Sequence, residues 1–311
     1  MPAHATAGSV RTPDREPAAR VLGKETNLRM QTVQWNRRWW SERYHWNDGG
    51  DHWSEPWGDP ERQWWGCLWP RICSFLPAGQ ILEIGPGFGR WTQFLLPQCK
   101  RLTAVDLTER CVTACRTRFK NQHLVCHQND GCSLAMIPDK SIDLAFSFDS
   151  LVHVEVDVIG TYLHELATKL TPNGIGILHH SNLGMYRHHF WFRKVPLIRS
   201  LVKRHGGDNR QTHGRSFSIT AERFGQLAIE SGLNCISQEL INWKSPLLTD
   251  CISIFTPTGS TWSTDNRLRH NPYFMVEATA IRNASAIVDC AVAAEPTLAA
   301  QGGWFRYRQV A

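Results

Sequence analysis

The chain has 311 residues, of which 42% are hydrophobic and 20% are charged. This composition predicts one sizeable globular domain with appendages and excludes a disordered or fibrous protein. The formal net charge is +6 at pH 7, but eight basic residues cluster between Arg187 and Arg215. We therefore expect no nucleic-acid partner, because duplex binding needs basic residues spread over a face.

The N-terminal region divides into a polar tail and a tryptophan-rich segment. Residues 1–30 predict a disordered tail without the apolar stretch of a signal peptide. Over residues 31–77, nine of the chain's 14 tryptophans occur within 35 positions. Trp53 and Trp57 lie among Gly, Asp and Ser, which predicts a lid that touches the substrate, whereas the tryptophans from 64 to 69 recur at helical spacing and predict a core-packing helix.

From residue 78, short apolar runs alternate with helical segments. The runs predict strands at residues 81–85, 102–107, 124–128, 142–148, 175–180, 234–241 and 250–255. Helices are predicted near 90–97, 108–119 and 155–170, the last followed by a turn over 171–174, and a further helix begins at Thr220. This alternation predicts an α/β fold with a mostly parallel sheet and helices on both faces.

Residues 81–91 place a strand, a glycine turn and a helix start in order. Gly85, Gly87 and Gly89 permit positive φ and a close approach of a ligand to the backbone, and the following helix points its amides at that ligand. Glu83 lies just before the first glycine, where a carboxylate can attract an ammonium group through bound water. The segment predicts part of a cofactor site.

Acids follow the next two predicted strands. Asp106 ends the second strand and is placed to accept hydrogen bonds from a ribose diol. Asn129 and Asp130 follow the third strand, where a carboxylate can accept a hydrogen bond from the exocyclic amine of adenine. Ammonium, ribose and adenine together describe S-adenosylmethionine better than NAD. We assign Leu107 and Phe148 to the same cofactor site.

The acid before G-x-G-x-G, together with Asp106 and Asp130, resembles the class I S-adenosylmethionine-dependent methyltransferases. The similarity covers roughly residues 78–258. It implies S-adenosyl-L-methionine as cofactor and a Rossmann-like, seven-stranded, mostly parallel sheet whose last strand is antiparallel. An ordinary βα turn or a dinucleotide-binding fold is the alternative interpretation of the glycine turn.

His153 lies on the loop between the fourth strand and the next helix. Methyl transfer is an in-line displacement, and an alcohol acceptor must also lose a proton. Imidazole is the side chain best suited to accept that proton near neutral pH. We expect His153 to be the general base, oriented by Asp149 or Glu155; a role in helix capping or packing is the alternative.

Further histidines follow the fifth strand. His179 and His180 are neighbours on a strand and face opposite sides, so only one of them points into the cleft. We assign His180 to catalysis and substrate binding, and His213 to substrate binding. Histidines near Asp149 and Asp157 could bind a divalent metal such as Mg²⁺. No pair of histidines four residues apart on a helix and no run of acids stands out, so the sequence allows a metal without requiring one.

The order of several longer segments, including FSFDSLVHVEVDVIGTYLHEL and TPNGIGILHHSN, resembles a group of actinobacterial sugar O-methyltransferases. These are related to the enzyme that methylates mannosides of methylmannose polysaccharides. The resemblance implies that His153 is the base and that a saccharide hydroxyl is the acceptor.

The basic residues of 187–215 predict a cap inserted into the domain, over the acceptor cleft or against anionic lipid. Residues 259–311 form a C-terminal extension without a recognisable pattern. No segment is long and apolar enough to cross a membrane, and we expect a cytoplasmic protein.

We therefore expect an S-adenosylmethionine-dependent O-methyltransferase of a sugar or glycoside. The alternatives are O-methylation of a phenol or polyketide, and a cofactor-binding or membrane-peripheral accessory protein without catalysis.

Overall fold

The computed structural model describes residues 32–120, 123–192, 214–243 and 246–293, and its centre is a mixed β-sheet. Its eight strands lie in the order β3-β2-β1-β4-β5-β7-β6-β8. They are β1 (Ala78–Ile84), β2 (Cys99–Asp106), β3 (Leu124–Gln128), β4 (Ile142–Ser147), β5 (Leu170–Ser181), β6 (Leu233–Ile241), β7 (Asp250–Pro257) and β8 (Arg267–Asn271). Strands β1 to β5 pair in parallel, and β7 runs antiparallel to both β5 and β6. The Rossmann-like fold predicted from the sequence is confirmed, including its antiparallel seventh strand.

Helices surround this sheet. They are α1 (Val33–Arg38), α2 (Pro60–Gln63), α3 (Trp69–Ile72), α4 (Thr92–Leu95), α5 (Glu109–Arg118), α6 (Val156–Lys169), α7 (Arg187–Phe192), α8 (Ala221–Glu230) and α9 (Phe274–Ala293). A 3-10 segment over Asn47–Trp57 and short π-helical stretches join the first three. Thr220 caps α8, as the sequence predicts, because its side chain accepts a hydrogen bond from the backbone N–H of Arg223.

Two apolar cores cover the two faces of the sheet. Successive residues on a strand face opposite sides, and Leu82 accordingly belongs to the core beneath α6 and α8, whereas Ile81 belongs to the other. That second core contains Trp57 and Trp64 from the N-terminal segment. We call the helices between residues 33 and 77 the N-terminal layer; the part that carries Trp57 and Trp64 closes one face of the sheet.

The C-terminal extension contributes a strand and a helix that the sequence did not predict. Strand β8 pairs in parallel with β6 at the edge of the sheet. Arg71 of α3 holds this region in place, because its Nη2 donates to Oε1 of Glu239 on β6 at 2.8 Å and to Oε2 of Glu277 on α9 at 3.0 Å. Phe274 of α9 enters the same core as Trp57.

The turn expected over residues 171–174 is instead part of β5. Ile142 pairs with Leu170, the register then shifts, and Leu144 pairs with Ile175. The Pro-Asn-Gly sequence therefore makes an irregularity inside a longer strand rather than a break before a shorter one.

Most of the basic segment, including His213, lies outside the described residues. Within the part of the chain that is described, no helix has the length and apolar character needed to cross a membrane.

Candidate functional site

A cavity opens at the carboxyl ends of β1, β2 and β4, where ligands bind in open α/β sheets. The glycine turn, the end of β2, the loop after β4 and the N-terminal layer all contribute to its wall. Its lining includes Asn36, Trp40, Trp46, Trp53, Gly85, Gly87, Phe88, Arg90, Trp91, Asp106, Leu107, Gly131, Phe148, Asp149, Ser150, His153, Tyr162, Arg215 and Trp243.

The glycine turn brings backbone, not side chains, to the cavity. Gly85 and Gly87 have φ of 70° and 59°, which favour glycine. A Cβ at Gly87 would lie 2.8 Å from the Trp46 ring, and one at Gly85 would collide with Ser150 Oγ. Larger residues would therefore displace both the Trp46 ring and the loop after β4.

Asp106 lies at the end of β2 and lines the cavity. Its Oδ1 accepts the backbone N–H of Thr108 at 2.9 Å, and its Oδ2 accepts that of Gly87 at 3.2 Å. Burial raises the pKa of Asp106 to about 6. The carboxylate is thus held rigidly between the glycine turn and the start of α5.

His153 also lines the cavity and lies on a 3-10 turn after β4. Its Nδ1 lies 3.2 Å from the carbonyl oxygen of Gly214. A carbonyl can only accept, so Nδ1 carries the proton and Nε2 keeps a free lone pair in the neutral ring. Burial and the positive charge of Arg215 lower the pKa of His153, although Asp149 opposes them. The ring is therefore neutral near pH 7 and able to accept a proton at Nε2.

Asp149 pairs with Arg90, whose Nη2 lies 2.9 Å from Oδ2 in a contact that leaves under one tenth of either side chain exposed. Burial would raise the pKa of Asp149, but the charges of Arg90 and Arg215 outweigh it and hold the pKa below its usual range. Asp149 also has φ of 63°, a strained conformation for a residue with a side chain. Its backbone N–H donates to Nδ1 of His179 at 3.1 Å.

A family model matches the part of the chain that carries the glycine turn and the loop after β4. Residues 82–178 match the family model described as a methyltransferase domain. We call these residues the methyltransferase segment; it contains the glycine turn, Asp106, Asp149 and His153.

Nodulation protein S of Sinorhizobium fredii is 32% identical over 100 residues, which are 32% of this chain and 45% of the relative. The chain spans less than half the length of the curated relatives that it matches.

Solved structures resemble the fold as well. N-methyltransferase NodS from Bradyrhizobium japonicum is 19% identical, with 64% of this chain and 96% of that chain covered and a TM-score of 0.45. An S-adenosylmethionine dependent methyltransferase from Mesorhizobium loti is 15% identical, with 60% and 96% covered and a TM-score of 0.44.

Several residues that the sequence assigned to the cofactor lie outside the lining of the cavity. Glu83 in the methyltransferase segment is fully buried, its Oε2 accepts from Thr92 Oγ1 at 2.6 Å, and burial raises its pKa to about 7. Gly89 packs against the Phe119 ring instead. These two residues therefore support the glycine turn without lining the cavity.

The loop after β3 differs from the expectation in the same way. Asp130 Oδ1 accepts the backbone N–H groups of Cys132 and Ser133, and these bonds lower its pKa. Asn129 Nδ2 donates to the hydroxyl of Tyr162 at 3.0 Å. Both side chains therefore shape the loop, and Gly131 and Leu107 line the cavity there.

The assignment of His180 to the site is wrong. Its ring stacks on Phe224 at 4.2 Å, and its Nε2 lies 2.8 Å from Ser253 Oγ, on the opposite face of the sheet. Burial lowers the pKa of His180 to about 4. Its neighbour His179 faces the site, stacks on Phe148 at 4.4 Å and approaches Asp250 Oδ2 at 3.3 Å.

The tryptophan assignment needs one correction. Trp53 lines the cavity, but Trp57 is fully buried and contacts Trp243 and Phe274 in the core. Glu155, the other residue expected to orient His153, directly precedes α6, 3.5 Å from Ser216 Oγ.

The sequence interpretation missed residues of the lining that lie far from the glycine turn in the chain or carry no recognised motif, among them Asn36, Trp40, Arg90, Trp91, Arg215 and Trp243. Arg90 and Trp91 directly follow the glycine turn, which was an available signal. Among the described residues, no three His, Cys, Asp or Glu side chains converge as a metal site would require.

Proposed function

We propose that this chain is an S-adenosylmethionine-dependent O-methyltransferase that methylates a hydroxyl of a saccharide or glycoside. The observation that carries the proposal is that one cavity is lined both by residues suited to bind the cofactor and by a histidine suited to act as the base. Asp106, the glycine turn and His153 all line this cavity. The match of residues 82–178 to a methyltransferase domain supports the same reaction class.

The residues of the cavity fit the cofactor. Asp106 is suited to a ribose diol, and the backbone of Gly85 and Gly87 can approach the ligand closely. Arg90 is buried, and its Nη1 has no hydrogen-bond partner in the described part of the chain, which suits the carboxylate of the methionine moiety. The cofactor supplies an electrophilic methyl group on a sulfonium.

His153 is suited to remove the acceptor's proton. Its Nδ1–H is held by the Gly214 carbonyl, so Nε2 is the basic atom. A neutral imidazole close to the acceptor can take the hydroxyl proton as the oxygen attacks, a contribution of about 10²- to 10⁴-fold in rate for general bases.

Aromatic rings at the same cavity support a saccharide acceptor. Trp40, Trp46 and Trp53 line it, and the Trp40 and His153 rings lie 5.4 Å apart. Indole faces pack against the C–H side of a sugar. The indole N–H groups of Trp40 and Trp46 already donate to Asn36 Oδ1 and to the Trp40 carbonyl, so the rings would contribute apolar surface. The aromatic wall would hold a sugar beside the base and keep water out.

The proposal is tested by incubating the purified protein with S-adenosyl-L-[methyl-³H]methionine and a panel of acceptors. The panel contains mannosides, glucosides, amino sugars, flavonoids and simple phenols, since an amine would also need a base. Label in sugar hydroxyls supports the proposal. Label only in aglycones or amines overturns the acceptor class, and cofactor binding without transfer to any member supports the accessory-protein alternative.

Two variants test the role of the base and cofactor binding separately. His153→Gln is expected to lower the transfer rate by at least about 100-fold while the Kd for the cofactor, measured by calorimetry, stays within about twofold. Asp106→Asn is expected to weaken cofactor binding by about tenfold or more, because a charged acceptor is lost. His164→Gln, on the exposed face of α6, is the matched control and leaves both values unchanged. Normal turnover by His153→Gln contradicts its assignment as the base.

A further inference from the structure

The segment over residues 214–216 runs directly past His153. Gly214 has φ of 71°, and a Cβ built on it would lie 3.4 Å from Nδ1 of His153. Ser216 N–H donates to the carbonyl of Val152 at 3.0 Å, and its own carbonyl accepts from Ser181 Oγ at 2.7 Å. Ser216, two residues after the histidine contact, is thus tied to the 3-10 turn and to the end of β5.

Arg215, between these two residues, is anchored to the sheet. Its Nε lies 2.6 Å from Oδ1 and 2.8 Å from Oδ2 of Asp250, and both side chains are almost completely buried. Asp250 begins β7 and pairs with Ser181 in the sheet register. The guanidinium also lies 4.9 Å from the centre of the Trp243 ring. A buried pair of this kind fixes geometry because both charges must remain matched.

We propose that Arg215 and Asp250 are positioning residues for His153: their ion pair fixes the Gly214 carbonyl, which in turn holds the imidazole as the Nδ1–H tautomer with Nε2 free. This inference rests on the proposed function for the meaning of His153, but the geometry that it describes does not depend on turnover. In other histidine bases a carboxylate accepts the Nδ1–H hydrogen bond and orients the ring. Here the Gly214 carbonyl accepts that bond, and the ion pair holds the carbonyl in place.

The charge of Arg215 adds an electrostatic consequence. The charged groups that act on His153 are Arg215, which lowers its pKa, and Asp149 and Asp250, which raise it. Asn36 and Trp40, which contact His153 from α1 and the turn after it, are uncharged. Removing the Arg215 charge while keeping its volume should therefore raise the pKa of His153.

The first measurement needs no variant. Long-range ¹H–¹⁵N correlation spectra of ¹⁵N-histidine-labelled protein, with His153 assigned by its loss in His153→Gln, report which ring nitrogen carries the proton. The Nδ1–H tautomer at neutral pH is expected. An Nε2–H tautomer would overturn the proposal without reference to any activity.

The second measurement follows the pKa of His153 by NMR in three variants. Arg215→Gln is expected to shift the titration to higher pH and to move the acid limb of the kcat/KM profile with it. Arg215→Lys, which keeps the charge, is expected to restore the wild-type midpoint. Arg223→Gln, which removes an arginine from an exposed pair on α8, is the matched control and shifts neither.

Arg215→Gln leaves Asp250 buried without its partner, so a fourth variant guards against misfolding. The double variant Arg215→Gln with Asp250→Asn keeps a hydrogen-bonding pair without charge and is expected to show the same upward shift, because Arg215 is the larger influence on His153. An unchanged midpoint in a folded double variant contradicts the electrostatic influence of Arg215, and an unchanged Nδ1–H tautomer in folded Arg215→Gln overturns the positioning role. If no acceptor is methylated, the proposed function fails, while the NMR measurements still decide the positioning role.

Discussion

At the scale of single residues, two buried carboxyl groups, those of Glu83 and Asp106, lie at or beside the cavity, and burial disfavours their ionised forms. Burial raises the pKa of Glu83 to about 7 and that of Asp106 to about 6, and the Asp106 charge adds to the effect on Glu83. A cationic cofactor would favour the ionised form of both. The protein without its cofactor therefore carries a free-energy cost at neutral pH that ligand binding relieves.

This cost is measurable at Glu83. Its pKa in the folded protein is about 7 against 4.5 for an ordinary glutamate, so between these values the folded state binds more protons than the unfolded state and stability falls as pH rises. Glu83→Gln removes this dependence. We expect the variant to gain roughly 3 kcal/mol relative to wild type between pH 4 and pH 8, by urea denaturation without cofactor.

Subtracting the wild-type curve cancels the histidines, whose lowered pKa values act in the opposite direction over part of the same range. Glu61→Gln, at an exposed position, is the control and should show a flat difference. A flat difference for Glu83→Gln as well would mean that the carboxyl is solvated.

The residue scale also explains which site residues could be predicted from sequence. Asp106 and the two cavity-lining glycines belong to one local motif, so their places follow from a strand and a turn. The assignment of His180 was wrong because alternation along β5 predicts that one of two neighbouring residues faces the cleft but does not predict which one. The assignment of Trp57 was wrong because a polar, glycine-rich neighbourhood does not reveal that α9 and the residues after β6 pack against its ring.

At the scale of elements, the C-terminal extension is a structural part of the sheet. Strand β8 has the sequence RLRHN and is almost wholly exposed, so no apolar alternation marks it as a strand. It forms because β6 offers an unpaired edge and because Asn271 Nδ2 donates to both Glu239 and Glu277. These tertiary contacts, which override local propensity, are the reason that the strand could not be predicted.

Arg71 is the centre of that attachment. Replacing it with alanine removes hydrogen bonds to Glu239 and Glu277 and leaves Glu239, whose pKa Arg71 helps to lower despite burial, without its main partner. We expect Arg71→Ala to lower the free energy of unfolding by about 2 kcal/mol and to expose β8 and α9 to faster amide exchange.

The exposed pair of Arg223 and Glu230 provides the comparison, since Arg223→Ala should cost under about 1 kcal/mol. Equal losses from the two arginine variants, or unchanged exchange in β8, would show that the extension is held by its apolar contacts alone.

At the scale of the whole molecule, the N-terminal layer serves both the core and the cavity. Its later part contributes Trp57 and Trp64 to the core on one face of the sheet. Its earlier part lies over the glycine turn and α5, where Trp46 stacks on Phe88 at 4.5 Å and Arg118 pairs with Asp51 at 2.8 Å. One continuous segment therefore contributes both to the core on one face of the sheet and to the wall of the cavity.

Trp53 and Trp57 lie four residues apart, but Trp53 belongs to the cavity wall and Trp57 belongs to the core. Trp57→Ala opens a cavity among Trp243, Phe274 and the sheet, and we expect it to lower the free energy of unfolding by about 3–5 kcal/mol. Trp53→Ala removes a half-buried ring from the cavity wall, so we expect a loss under about 1 kcal/mol in stability and about a tenfold rise in the KM for a saccharide acceptor. Urea denaturation and initial-rate kinetics measure the two effects. If Trp53→Ala were as destabilising as Trp57→Ala and left KM unchanged, the whole tryptophan cluster would belong to the core and the acceptor would be held by other residues of the cavity.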